Sequence, residues 1–252
     1  MTLLELKSLS RHFGGLKAVC DLDAHIEEGK ITSLIGPNGA GKTTAFNLIT
    51  GLLPVSHGKI FFNKTDITGH APYKIARMGI ARSFQNTRIF SNMTVLDNVK
   101  VGMHTRTGKG IFSAALKLPG LRHEEQYITE ESMKHLAFVG LDHLAFVNAG
   151  NLPFGQQRSL EIARALATRP KLLLLDEPAA GLNSQETLQL GELINKIRNS
   201  AITVFLVEHD MELVMSISDT IFVLNNGILI TSGNPSEVQC NTEVIRAYLG
   251  ED

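Results

Sequence analysis

Residues 36–44 have the types and spacing needed to bind phosphate. Glycines here let the backbone wrap an anion with its N–H groups, and the start of a following helix adds a favourable dipole. The Lys42 ammonium would reach the outer phosphates of a nucleoside triphosphate, and the Thr43 hydroxyl can ligate Mg²⁺. We predict contacts to the nucleotide from Gly36, Pro37, Asn38, Gly39, Ala40, Gly41, Lys42, Thr43 and Thr44.

Asp176 and Glu177 could supply the metal ligand and the base that such a phosphate needs for hydrolysis. They follow four leucines at 172–175, an unbroken apolar run typical of a buried parallel strand. The carboxyl ends of parallel strands meet at one sheet edge, so both acids should lie beside the phosphate loop. Asp176 would hold Mg²⁺, directly or through water, and Glu177 would deprotonate the attacking water. A solvated acidic strand end is the alternative interpretation.

Two further polar residues follow predicted strands. His209 comes after a predicted buried strand at 202–207, where it could sense the charge of a γ-phosphate. Gln85 comes after a shorter strand. Taken alone, each pattern is more typical of an ordinary structural or surface side chain, so both assignments depend on the wider order of motifs.

The elements that must position these residues alternate between strand and helix on both sides of a helical stretch. An apolar strand at 31–35 leads into the phosphate loop, and an amphipathic run at 43–53 follows it. Apolar residues recur at helical spacing between residues 98 and 151. After that stretch we predict helices at 156–168, 184–199 and 244–249, strands at 172–175 and 202–207, and a hairpin that turns at 225–227.

Bulk composition excludes several classes of protein. The formal net charge is −1 with scattered basic residues, which does not favour nucleic-acid binding. Cys20 and Cys240 have neither metal-ligand nor disulfide spacing, which favours a reducing compartment. No run approaches ~18 apolar residues, and the N-terminus does not resemble a signal peptide. If the protein works at a membrane, partners must supply the spans.

The order of these motifs resembles the ATP-binding cassette of ABC transporters. The phosphate loop comes first, followed by Gln85, a glycine- and glutamine-containing segment at 152–157, the acids Asp176 and Glu177, and His209. The resemblance implies an α/β fold of the P-loop NTPase class. Its parts would be a mainly parallel core sheet, an antiparallel β edge subdomain and an inserted α-helical subdomain. Residues 1–97 and 152–252 would form one nucleotide-binding core around a helical subdomain at about 98–151.

The same resemblance implies an ATPase whose two cassettes pair head to tail. Each ATP, with Mg²⁺, would lie between the phosphate loop of one subunit and the 152–157 segment of the other, where Gly155 and Gln156 contact it. Phe13 matches the aromatic that stacks on adenine, and the nearby Val19 would also contact the nucleotide. The catalytic residues implied are Glu177, His209 and Gln85, and the Mg²⁺ ligands implied are Thr43, Gln85 and Asp176.

The 152–157 segment departs from the usual family signature. Pro153 stands where a serine hydroxyl would contact the γ-phosphate of the partner, and Phe154 replaces a glycine. Proline offers neither a hydroxyl nor an N–H, so the contact must come from Gly155, Gln156 or the helix start. Asn183 stands where the family usually has an aspartate, and it fits a helix N-cap and a dimer contact equally well.

Residues 13–19, 155–168 and 245–250 resemble the ATPases of branched-chain amino-acid importers. This implies uptake of leucine, isoleucine and valine through two transmembrane permease subunits. A second related ATPase or a second copy of the chain, and an extracytoplasmic substrate-binding protein, would complete the system. The chain would lie on the cytoplasmic face of the plasma membrane. The alternatives are an ABC ATPase for urea, amides or lipopolysaccharide export, and a soluble ABC ATPase acting on ribosomes or DNA.

Overall fold

A computed structural model of the chain describes residues 1–83, 89–103 and 120–249. It divides into two compact units, one formed by Met1–Arg82 with Lys171–Asp252 and the other by Ser83–Pro170. Gln85 lies outside the described residues, so its predicted roles in metal binding and catalysis stay predictions. Within the described residues, none of the helices combines the length and the apolar character that crossing a membrane requires.

Two sheets form the framework of the first unit. Its strands are β1 (Thr2–Phe13), β2 (Leu16–Glu27), β3 (Ile31–Ile35), β4 (His57–Phe62), β5 (Thr65–Asp66), β6 (Ile80–Arg82), β7 (Leu172–Asp176), β8 (Thr203–Val207), β9 (Thr220–Asn225) and β10 (Ile228–Gly233). One sheet is antiparallel, in the order β2–β1–β4–β5. The other has the order β10–β9–β3–β8–β7–β6 and is parallel except for the β10–β9 pair.

The central strands β3, β7 and β8 are buried along their whole length, as is typical of the interior of a parallel sheet covered on both faces. Their register aligns the carboxyl ends, because Val207 of β8 pairs with Leu34 on one side and with Asp176 on the other. The chain therefore leaves all three strands at the same edge of the sheet, where the predicted chemistry lies.

Helices flank these sheets within the first unit. They are α1 (Lys42–Ile49), α2 (Pro72–Met78), α6 (Ser184–Asn199), α7 (Met211–Ile217), α8 (Pro235–Gln239) and α9 (Thr242–Leu249). The amphipathic run at 43–53 wrongly extended α1, which ends at Ile49. Gly51 has φ +70°, and a Cβ there would meet the His70 carbonyl oxygen at 2.3 Å, so the chain turns before residue 53.

The second unit is built from α3 (Val95–Met103), α4 (Gly120–Phe138) and α5 (Phe154–Ala167), with 3-10 turns at Asp142–Leu144 and Ala149–Asn151. A separate hydrophobic core holds these helices together, with Leu136 and Leu160 among its fully buried members. The unit extends beyond the 98–151 range expected for the helical subdomain. It includes α5, because that helix packs on α3 and α4.

Candidate active site

An open cleft of about 430 Å³ runs along the phosphate loop in the first unit. Loop residues 38–44, Glu177, Asn226 and the strand residues Phe13, Leu16, Lys17 and Ala18 line it. The volume falls within the range of small-molecule pockets. The structure therefore brings most of the predicted phosphate contacts, one predicted catalytic acid and the predicted adenine-stacking ring to one cavity.

Glycine is required at two positions of the loop because the backbone passes close to neighbouring carbonyls. Gly36 has φ +149°, and a Cβ there would lie 2.0 Å from the Leu224 carbonyl oxygen. Gly41 has φ +100°, and a Cβ there would lie 2.3 Å from the Ala18 carbonyl oxygen. Gly41 is also the N-cap of α1, so the first N–H groups of this helix face the cleft where an anion would bind.

Lys42 is held inside the loop. Its Nζ donates to the carbonyl oxygens of Gly36 at 2.7 Å and Pro37 at 3.0 Å, and the residue is only 7% exposed. Burial lowers the pKa of Lys42, while the negative charges of Glu177 and Asp176 act in the opposite direction. A phosphate in the cleft would meet a cation that is already placed and poorly solvated, which strengthens their attraction.

Asp176 is paired with an arginine that sequence reasoning missed. Arg82 Nη2 donates to Asp176 Oδ2 at 2.6 Å, with side chains 8% and 2% exposed. The other terminal nitrogen, Nη1, donates to Asn47 Oδ1 at 2.6 Å, on the helix that follows the phosphate loop, and to Thr50 Oγ1 at 3.3 Å, at the C-cap of that helix. Arg82 thus connects the end of β7 to α1 and fixes the direction of the carboxylate.

The second oxygen of the same carboxylate suits a Mg²⁺ ion or a metal-bound water. Asp176 Oδ1 is buried and has no hydrogen-bond partner among the described residues. Such an atom is costly to bury unless a ligand satisfies it. Carboxylate and hydroxyl oxygens are the ligands that Mg²⁺ prefers, and Thr43 offers an exposed hydroxyl in the cleft. The described residues therefore fit the predicted metal.

Glu177 lines the cleft through a strained backbone. Its φ is +47°, a left-handed value that is uncommon for glutamate. Its N–H donates to the Val207 carbonyl oxygen at 2.9 Å, and its own carbonyl accepts from Ala180 N at 3.2 Å. These contacts turn the chain sharply after Asp176. The two neighbouring acids therefore differ in their surroundings, since Asp176 stays buried and Glu177 lines the cleft.

His209 follows β8 at the same edge of the sheet, but it is not among the described residues that line the cleft. Its side chain is 61% exposed, and its Nδ1 lies 3.7 Å from Oε2 of the fully buried Glu208. Glu208 is a second residue that the sequence analysis missed. The signal that could have found it is an acid directly after a mainly apolar strand and directly before a candidate catalytic residue.

Phe13, which lines the cleft, is 42% exposed, and the Arg11 guanidinium lies 4.5 Å from the centre of its ring. One ring face is therefore supported while the residue stays accessible, as stacking on a base requires. Val19, also predicted to contact the nucleotide, is fully buried and does not line the cleft. It lies beneath the loop, 3.4 Å from where a Cβ on Gly41 would be.

The turn of the β9–β10 hairpin supports the phosphate loop. Gly227 N donates to the Ala40 carbonyl oxygen at 3.0 Å, and Gly227 O accepts from Cys20 N at 2.8 Å. Asn226, at the same turn, lines the cleft with φ +48°. The hairpin was predicted from the sequence, but its contact with the loop was not.

A model of the ABC transporter family matches residues 19–180, more than half of the chain. The chain belongs to the ABC transporter family. It is one of the ATP-hydrolysing subunits of that family, and the predicted recognition and enzyme class are confirmed. A second model, described as branched-chain amino acid ATP-binding cassette transporter, matches residues 229–252 of this ABC ATPase.

Relatives of this ABC ATPase match along nearly its whole length. The high-affinity branched-chain amino acid transport ATP-binding protein LivG of Escherichia coli K12 is 46% identical over 250 residues, covering 99% of this chain and 98% of the relative. The protein of the same description, BraF, from Pseudomonas aeruginosa gives the same figures. A crystal structure of a nucleotide-free ATP-binding cassette from an ABC transporter superposes with TM-score 0.87 at 32% identity, covering 100% of both chains. The predicted fold is confirmed.

The segment that departs from the ABC signature lies in the second unit and starts α5. Pro153 is the N-cap of this helix, and no side chain caps it. Phe154 is 44% exposed, and the Arg158 guanidinium lies 5.8 Å from its ring centre. Gln157 Nε2 donates to the Leu152 carbonyl oxygen at 2.8 Å. The predicted contacts of the signature with a nucleotide require a second cassette, so they stay predictions.

Asn183 meets one of the two expectations made for it. Asn183 Oδ1 accepts from Glu186 N at 3.0 Å, and Glu186 Oε2 accepts from Asn183 N at 3.0 Å. These reciprocal bonds form a capping box at the start of α6. The cap is therefore present, and the expected contact with a partner subunit stays a prediction.

Proposed function

We propose that this ABC ATPase energises the import of leucine, isoleucine and valine. The observation that carries the proposal is 46% identity over nearly the whole of both chains to relatives described as branched-chain amino acid transport ATP-binding proteins. The match of residues 229–252 to the model of that name supports it. Full-length identity matters because the phosphate loop and its acids are common to ATPases that serve many solutes.

The chemistry that we propose is in-line attack of water on the γ-phosphorus of ATP. Glu177 orients this water and accepts its proton while the bond from the γ-phosphorus to the bridging oxygen breaks. Lys42 and the N–H groups of the loop bind the phosphates. Mg²⁺, when bound, neutralises charge on the β- and γ-phosphate oxygens. Thr43, Asp176 and Gln85 are the proposed residues that hold it.

We further propose that two cassettes share each ATP. The phosphate loop of one cassette and the helix start at Gly155 and Gln156 of the other would enclose the nucleotide, while Phe13 stacks on adenine. His209 would contact the γ-phosphate, so that ATP closes the pair and hydrolysis releases it. The second cassette is a related ATPase or another copy of this chain.

The partners that we propose are two transmembrane permeases, which contain the solute path, and an extracytoplasmic binding protein, which delivers the amino acid. This chain would work as a peripheral subunit at the cytoplasmic face of the plasma membrane. No residue of this chain is expected to contact the transported amino acid.

Purification of the tagged chain from its native membranes in a mild detergent tests the assembly. We expect two multi-span permeases and a second ATPase to co-purify, identified by mass spectrometry. Reconstituted into vesicles with the binding protein, the complex should accumulate labelled leucine only when ATP is present on the side of the ATPase.

The same preparation separates the alternatives. Accumulation of urea or an amide but not leucine would support the importer function and contradict the proposed substrates. Co-purification of a lipid-exporting permease would also contradict the proposed substrates. Recovery of soluble partners or ribosomes alone would overturn the transport function. The Glu177→Gln complex is the matched control, because it should assemble normally and transport very slowly.

A further inference from the structure

The buried carboxylate of Glu208 joins two parts of the active site that arrive from different strands. Glu208 directly follows β8 and is 0% exposed. Among the described residues, its carboxylate contacts three backbone N–H groups and the ring of His209. A buried carboxylate is costly unless its oxygens accept hydrogen bonds, so these contacts fix its position.

One oxygen holds the turn that follows the proposed base. Ala179 N donates to Glu208 Oε1 at 2.7 Å. The Ala179 carbonyl accepts from Leu182 N at 3.0 Å, and Ala180 N donates to the Glu177 carbonyl at 3.2 Å. Glu208 is therefore bonded to the centre of a compact turn that begins at Glu177 and continues toward α6.

The other oxygen holds the segment of the proposed γ-phosphate sensor. His209 N donates to Glu208 Oε2 at 2.9 Å, and Asp210 N lies 3.3 Å from the same oxygen. Asp210 Oδ1 in turn accepts from Leu213 N and caps α7. The backbone of His209 is thus held by a buried acceptor while its side chain stays 61% exposed and can turn toward a ligand.

We infer that Glu208 is a positioning residue for ATP hydrolysis that keeps the Glu177 turn and the His209 segment in fixed relation. The inference rests on the roles proposed above for Glu177 and His209. Glu208 is buried and is not among the described residues that line the cleft, so it is not expected to touch the phosphate or the attacking water. Its effect should therefore fall on the hydrolytic step, which is sensitive to misplacement of about 1 Å, and not on ATP binding by the phosphate loop.

The test compares Glu208→Gln with wild type in the full-length chain. Glutamine keeps the length but places an NH₂ group where one of the two oxygens accepts hydrogen bonds. We expect kcat to fall on the order of 10–100-fold, while the Kd of ATP, measured with a fluorescent ATP analogue, stays within about twofold. Amide hydrogen exchange should accelerate at residues 179–182 and 209–213. Glu208→Asp keeps the charge but is one methylene shorter, so it should restore neither kcat nor exchange protection fully.

Glu212→Gln is the matched control, because it removes an exposed carboxylate from the first turn of α7 and should leave kcat, the Kd of ATP and exchange at residues 179–182 unchanged. Unchanged kcat in Glu208→Gln would overturn the inference. A parallel loss of ATP affinity, unfolding temperature and kcat would also overturn it, because that pattern indicates general destabilisation. Glu177→Gln is measured alongside: wild-type turnover in that variant would refute the proposed base, which is a separate failure.

Discussion

The phosphate loop and the signature segment are both glycine-containing helix starts. They differ in how far contacts within this chain hold the groups that are proposed to bind nucleotide. In the loop, Lys42 is bonded to two carbonyls, and a hairpin turn supports Ala40. The start of α5 has no side-chain cap, and Phe154 is largely exposed. One helix start is organised by contacts within its own unit. At the other, no side chain among the described residues accepts from the first N–H groups of the helix, and we propose that they contact a nucleotide held by a second subunit.

This difference indicates which substitutions a single subunit should tolerate. The loop glycines pack against fixed carbonyls of the same chain, so substitution is penalised directly. At Pro153 the exchanged group is a side chain whose proposed contact with phosphate is made between subunits. Changes in the first unit should therefore weaken ATP binding or folding of the isolated chain. Changes at the signature should act mainly on the ATPase rate of the assembled complex.

Lys42→Ala should have the largest effect. It removes a charged donor from the phosphates, which corresponds to about 3–6 kcal/mol, or at least ~10² in Kd. Equilibrium binding of labelled ATP to the isolated chain measures this. Lys74→Ala, an exposed lysine on α2, is the control. Tight ATP binding by the Lys42 variant would contradict the assigned loop.

Arg82→Met should lower the free energy of unfolding by about 3–5 kcal/mol, because it leaves the buried Asp176 carboxylate without its cation. Urea denaturation monitored by circular dichroism gives the value. The Arg82→Met, Asp176→Asn double variant should recover part of the loss. Equal stabilities for wild type and the single variant would show that the pair does not organise the strand end.

Phe13→Ala should weaken ATP binding by roughly 1–3 kcal/mol through loss of base stacking. Phe13→Tyr should bind nearly normally. Tyr73→Ala is a suitable control, since Tyr73 is also exposed and also has an arginine over its ring. Equal Kd values for Phe13→Ala and wild type would remove the ring from the nucleotide site.

Pro153→Ser should have the smallest effect and addresses the signature directly. A serine can cap α5, which is worth about 0.5–2 kcal/mol of stability, and can offer a hydroxyl to the neighbouring subunit. The ATPase rate of the assembled complex should rise or stay unchanged. A collapse of this rate would show that the proline is specifically required there.

Features carried by local residue type could be predicted from the sequence. The phosphate loop, the leucine strand before Asp176 and the capping box at Asn183 each depend on neighbours close in the chain. The Arg82–Asp176 pair joins residues 94 apart, and the bond between Glu208 and Ala179 joins residues 29 apart. Such contacts depend on the strand order of the folded sheet, which residue patterns do not encode.

One deviation has a local physical cause. The amphipathic pattern over-extended α1 because it counts apolar spacing but not the positive φ at Gly51. The nucleotide contact of Val19 was implied by the family resemblance. Its side chain is fully buried beneath the loop, and the contact stays a prediction.

The central claim is that the first unit contains both the ATP-binding loop and the hydrolytic base. The most direct test is the rate of phosphate release by Glu177→Gln, compared with wild type in the same assembly at saturating Mg²⁺-ATP. We predict a fall of roughly 10²–10⁴-fold with ATP still bound, and accumulation of the closed pair of cassettes. Turnover near the wild-type rate would show that another group activates the water and would contradict the account.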